Sequence, residues 1–227
     1  MRESDFLLRN INIPNFIDCI ISNHKQKKLH PDWLDLNGII CFCGEQGSGK
    51  TLSAIQYLRN VCRAYPKAKV VSNIEIDIPD IKNKLYYYEG IDSMMEFNNG
   101  EHGIIFFIDE MHLEFNSLES KGMDIRTFEL VSQQRKARKH IIGTSQVFGR
   151  LAKPFREQFK YAVLCEKYFG YLFKQEIYRA KSVPFEDDIR VELRQQGTAW
   201  FIPSLDMFDM YDTSEIIKRV NNGFRST

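Results

Sequence analysis

Apolar residues in this chain gather in short uninterrupted runs, separated by polar stretches with a helical repeat. Residues 38–43 (GIICFC) and 103–108 (GIIFFI) are the clearest runs. A strand that is apolar at every position is buried on both faces, as in a parallel sheet. After the first run comes a glycine-rich stretch, and then residues 50–65, where Leu52, Ile55, Leu58 and Val61 recur at helical spacing. The order there is strand, loop, helix. Residues 68–76 (AKVVSNIEI), 84–88 (KLYYY), 140–145 (HIIGTS), 161–166, 171–180 and 198–202 (TAWFI) read as further strands. Residues 126–139 read as a helix rich in basic side chains, and another helix is expected from Thr213. Strands alternating with helices predict an α/β fold, with a mainly parallel central sheet flanked by helices and right-handed crossovers.

This pattern suggests a single domain over 1–227. It divides into an N-terminal extension (1–36), a core (37–180) and a strand/helix appendage (181–227). Residues 11–21 fit a helix, or a strand followed by a helix. The 84–88 segment holds three tyrosines, which suit either a stacking platform for bases or an edge strand with one wet face. Residues 208–213 (FDMYDT) suit a partner-docking segment or the packed start of the last helix.

Composition narrows the classes. With 227 residues, 43% of them hydrophobic, the chain can bury one core. Its 31 basic and 30 acidic side chains exclude a uniformly basic nucleic-acid coat and an acidic disordered chain. Contact with nucleic acid would have to come from a local patch. No apolar run approaches the roughly 18 residues of a membrane span, and the N-terminus lacks the order of a signal peptide. The expectation is a cytoplasmic protein without a membrane span. The five cysteines (19, 41, 43, 62 and 165) form no CxxC pair and are expected to be reduced, mostly core residues.

Gly44-Glu45-Gln46-Gly47-Ser48-Gly49-Lys50-Thr51 satisfies G-x-x-x-x-G-K-[ST] at every fixed position. Glycines let the backbone wrap phosphates with its N–H groups pointing inward, and the following helix adds the positive end of its dipole. Gly44, Gly47, Ser48 and Gly49 would form the cradle for ATP. Lys50 would reach the β- and γ-phosphate oxygens, and Thr51 would ligate Mg²⁺. The plainer alternative is a glycine turn beside a solvated lysine.

The 103–108 run ends in Asp109 and Glu110. Asp109 suits the Mg²⁺ shell, and Glu110 suits orienting and deprotonating an attacking water. Without the loop upstream, the two acids would read equally as the cap of a following helix. Gln146 ends the 140–145 strand. If that strand lies between the first strand and the Asp109 strand, Gln146 faces the γ-phosphate. Otherwise it is a turn residue. Arginines at 135, 138, 150 and 156 are candidates for a charge supplied to a neighbouring subunit's phosphate, with Arg156 favoured and Arg150 second. Residues 134–140 (QRKARKH) form the densest basic run, suiting either nucleic-acid backbone or a solvated helix face.

In that order the phosphate loop, VVSNIEI, IIFFIDE and QQRKARKHIIGTSQ resemble the zonular-occludens-toxin-like proteins, within the wider FtsK/HerA superfamily of DNA-pumping motors. The likeness covers about residues 38–160, and its most specific part is the R-x-x-R-K-H run before a strand ending in Gln146. It implies a RecA-like P-loop core, ATP hydrolysis with Mg²⁺, a hexameric ring and movement of DNA. By position it makes Lys50 and Thr51 nucleotide and Mg²⁺ ligands, Asp109 and Glu110 the acidic pair, Gln146 the sensor, and Arg156 the residue acting in trans. Filamentous-phage assembly relatives usually carry a transmembrane segment after the core, which is missing here. The expectation is therefore a soluble motor of viral genome packaging, in the host cytoplasm and transiently virion-associated, with a capsid or portal vertex protein as a candidate partner. A filamentous-phage-type assembly ATPase, a small-molecule phosphotransferase, a GTPase switch and a nucleotide-binding scaffold are the alternatives.

Overall fold

The computed structural model describes residues 21–22, 24–115, 138–148, 151, 156, 158–185 and 188–211. The expected helix over 126–139 lies outside them up to residue 137, as do Arg135, Arg150 and the helix expected from Thr213. The strands are β1 (Gly38–Cys43), β2 (Lys69–Ser72), β3 (Leu85–Tyr87), β4 (Ile104–Ile108), β5 (Lys139–Ser145), β6 (Phe159–Tyr168), β7 (Leu172–Phe185) and β8 (Asp188–Phe201). They form one sheet in the order β3-β2-β4-β5-β1-β6-β7-β8. All pairs from β3 to β6 are parallel, and β7 and β8 add on antiparallel.

The most apolar run lies at the centre of this sheet. All five residues of β4 are fully buried, with Ile105 and Phe107 packing on one side and Ile104, Phe106 and Ile108 on the other. Helix α1 (Lys50–Ala64) covers the first side through Leu52, Ile55, Leu58 and Val61. It ends where Tyr65 precedes Pro66, a position that disfavours helical backbone; Tyr65 has φ −129° and ψ 71°. A short helix, α2 (Ile91–Glu96), is too brief for a periodicity to show in sequence.

Three elements depart from the sequence reading. β2 leaves the ladder at Ser72, because the backbone turns at Asn73; Ile74, Ile76 and Ile78 still enter the core. β3 is an edge strand with Tyr87 exposed, but Tyr88 is fully buried, so the three tyrosines share no common platform. β7 runs through residue 180, where the core was expected to end, and pairs with β8 in a hairpin of 14 residues per strand. The far half of this hairpin extends past the end of β6, and residues 192–196 are exposed on both faces. No apolar alternation is required there, so the sequence showed only the last part of β8.

The described end of the basic run is used in packing. Arg138 lies over the Trp33 ring and donates to Leu34 O, and Lys139 Nζ donates to Met94 O at 2.6 Å. His140 is buried between Tyr57 and Gly38. Its Nδ1–H donates to the Gly38 carbonyl, which leaves Nε2 to accept from the Tyr57 hydroxyl. Burial pushes this imidazole down to about 4. Among the described residues, no helix is long and apolar enough to cross a membrane.

Candidate nucleotide-binding site

The loop between β1 and α1 turns twice through left-handed backbone. Gly47 has φ 79° and Gly49 has φ 82°. A side chain costs roughly 1–2 kcal/mol in that region. At Gly47 a Cβ would stand in open space, whereas at Gly49 it would collide with the Phe173 ring of β7. The loop is therefore held from one side by β7 and open on another. Lys50 is buried at the start of α1, and its Nζ donates to Glu45 O at 3.1 Å, so its charge lies over the loop. Ser48 Oγ is buried with no hydrogen-bond partner.

β5 lies between β1 and β4, which meets the condition set for Gln146. Cys43 pairs with Ser145 and Ile108 with Gly143, so Gly44, Gln146 and Asp109 all leave the sheet at its carboxyl end. Gln146 is half-buried beside the first loop glycine. Thr51 Oγ1 donates to Asp109 Oδ1 at 3.0 Å. Burial raises the Asp109 carboxyl, opposed by hydrogen bonds from Thr144 and Thr51 and by the Lys50 charge. Glu110 follows in left-handed backbone, φ 49° and ψ 46°, an uncommon state for a residue with a side chain. Its Oε2 approaches His112 Nδ1 to 3.1 Å, without hydrogen-bond alignment between the two.

Three contributors escaped the sequence reading. Asn73 clamps the Asp109 backbone, donating from Nδ2 to Asp109 O at 2.9 Å and accepting Asp109 N–H at 2.8 Å. Thr144 bonds both acids, donating to Asp109 Oδ1 at 2.6 Å and accepting Glu110 N–H at 2.9 Å. His112 lies beside Glu110. The visible signal for each was a polar residue at the end of an apolar strand, or just past it.

Arg156 is not brought to this site. It precedes β6, whose first residue, Phe159, pairs with Ile39 near the start of β1. The length of β1, roughly 17–20 Å, separates that end of the sheet from the loop.

A cradle with open space at Gly47, an unpartnered Ser48 hydroxyl, a lysine over the loop and a hydroxyl–carboxylate pair beside it fit a nucleotide triphosphate with Mg²⁺. The N-terminal domain of zonular occludens toxin from Neisseria meningitidis superposes on this chain with a TM-score of 0.53, at 16% identity, covering 78% of this chain and 100% of that one. The chain has the fold of a zonular-occludens-toxin-like P-loop ATPase. A second solved ATPase domain shares this fold, with a TM-score of 0.50 at 11% identity, covering 86% of this chain and 96% of that one. B204, the DNA-packaging ATPase from Sulfolobus turreted icosahedral virus, aligns at 0.48 and 14% identity, over 63% of this chain and 92% of its own. No protein-family model and no curated protein sequence matches the chain. The resemblance legible in the sequence is thus borne out in the zonular-occludens-toxin-like fold.

Proposed function

We propose that this chain hydrolyses ATP to ADP and phosphate and, assembled as a hexameric ring, uses the cycle to move DNA in viral genome packaging. The observation that carries hydrolysis is the convergence of Lys50, Thr51, Asp109 and Glu110 at one end of the sheet. Lys50 would leave the Glu45 carbonyl for the phosphate oxygens, a charge-assisted contact in place of a neutral one. Thr51 and Asp109 would hold Mg²⁺, which when bound offsets the negative charge of the terminal phosphates. Glu110 would orient water and take its proton, with Gln146 beside the terminal phosphate.

DNA as cargo is supported by the sequence resemblance, and so are a capsid or portal partner and action in the host cytoplasm. A phosphotransferase would keep water out, and a carboxylate placed like Glu110 serves water as the acceptor. The GTPase reading loses its nearest candidate. Asn83, of the Asn83-Lys84 pair, is buried and donates to the Tyr65 and Ala68 carbonyls. Arg156, at the far end of its own sheet, would act on a neighbour's nucleotide.

The deciding experiment is ATP turnover with and without single- and double-stranded DNA, on size-fractionated protein. Turnover indifferent to both would remove DNA as the cargo. Arg156→Ala should bind nucleotide without hydrolysing it, and mixing it with Glu110→Gln should restore activity at interfaces joining two intact contributors. No restoration would deny Arg156 its role in trans.

A further inference from the structure

Thr144 is fully buried on β5, and its single hydroxyl contacts both acids of the site. Oγ1 donates its only proton to Asp109 Oδ1 at 2.6 Å and accepts the Glu110 N–H at 2.9 Å. The Asp109 oxygen it reaches is the same one that accepts from Thr51. Glu110 is the residue whose backbone is left-handed, so its N–H is directed by the turn that aims its carboxylate. A valine at this position would fill the same space but supply neither bond. It would leave a buried N–H unpaired and one hydrogen bond fewer on a buried carboxylate, and each such loss is costly.

We infer that Thr144 is a positioning residue that sets Asp109 for the metal and Glu110 for water through one hydroxyl, so that the two acids keep a fixed geometry relative to each other. This rests on the hydrolytic reading above. Thr144 also lies two residues before Gln146 on the same strand. A shift of the β5 end that follows the terminal phosphate would therefore be felt at both acids.

The test compares Thr144→Val with Thr144→Ser by thermal melting, by binding of a fluorescent ATP analogue across a Mg²⁺ titration, and by turnover. Thr144→Val should bind the analogue without Mg²⁺ as the wild type does. The Mg²⁺ concentration that gives half of the metal-dependent gain in affinity should rise about tenfold, and kcat should fall by at least about tenfold. Thr144→Ser should restore both. Wild-type Mg²⁺ dependence in Thr144→Val, or a serine variant as impaired as the valine one, would overturn the inference. If the valine variant does not fold, Thr144→Ala against Thr144→Ser reads the same difference, with the same outcomes. Failure of the hydrolytic reading looks different: the wild type would turn over no ATP, or Asp109→Asn would keep the full Mg²⁺-dependent gain.

Discussion

Thr51 Oγ1 and Asp109 Oδ1 meet at 3.0 Å across 58 residues of sequence, tying the first turn of α1 to the end of β4. If the two hold one metal, their losses should not add, because removing either already breaks the shared site. Thr51→Ala and Asp109→Asn should each abolish most of the Mg²⁺-dependent gain in nucleotide affinity, and the double variant should be no worse than the more impaired single. Binding without Mg²⁺ should survive in all three, whereas Lys50→Ala should lose it. Two losses that multiply in the double variant would mean that the residues act on different things.

The Gly49–Phe173 contact makes a prediction about shape. Gly49→Ala faces left-handed backbone, costing roughly 1–2 kcal/mol, and a collision with the β7 ring. Nucleotide affinity should fall steeply and the melting temperature should drop. Removing the ring with Phe173→Ala in the same chain relieves only the collision, so affinity should return in part. Full recovery would show that the backbone angle does not matter, and no recovery would show that the ring does not.

How much of this was legible in sequence depends on what each residue does. The loop, Asp109 and Glu110 announce themselves because phosphate and metal chemistry restrict residue type at fixed spacing. β1, β4 and β5 were legible because burial on both faces leaves unbroken apolar runs. Asn73 and Thr144 were not, because an amide or hydroxyl ending a strand looks the same whether it turns the chain or braces a carboxylate 35 or 36 residues away. The paired arm of β7 and β8 was missed for the opposite reason. A two-stranded ribbon with both faces wet needs no alternation. The basic run misled in its last three residues, since Arg138, Lys139 and His140 spend their nitrogens on Leu34, Met94, Gly38 and Tyr57.

His112 lies 3.1 Å from the Glu110 carboxylate, on the short turn that follows β4 rather than on the loop or α1. Its influence on turnover should therefore pass through Glu110. His112→Ala is expected to lower kcat severalfold with nucleotide affinity unchanged, and to change nothing further in a Glu110→Gln background. An equal drop in both backgrounds would place His112 in a separate role, and weakened nucleotide binding would mark it as a support of the loop.

His140 gives the fold a pH dependence whose sign follows from its depressed value. The imidazole is about 4 when folded and near 6.5 when free, so between those values the unfolded chain binds more protons than the folded one. The stability tied to neutral His140 is complete above about pH 6.5 and drains away as pH falls towards 4. The full difference corresponds to about 3 kcal/mol by linkage. His140→Gln keeps a neutral side chain at every pH. It should be less stable than the wild type at pH 7.5, having lost the fitted bonds to Gly38 and Tyr57, yet the gap should narrow between pH 6.5 and 4.5. Denaturant melts of both proteins across that window check this. A gap that stays constant would mean that His140 takes up its proton equally well in the folded chain, and that the Gly38–Tyr57 pocket admits the charged ring.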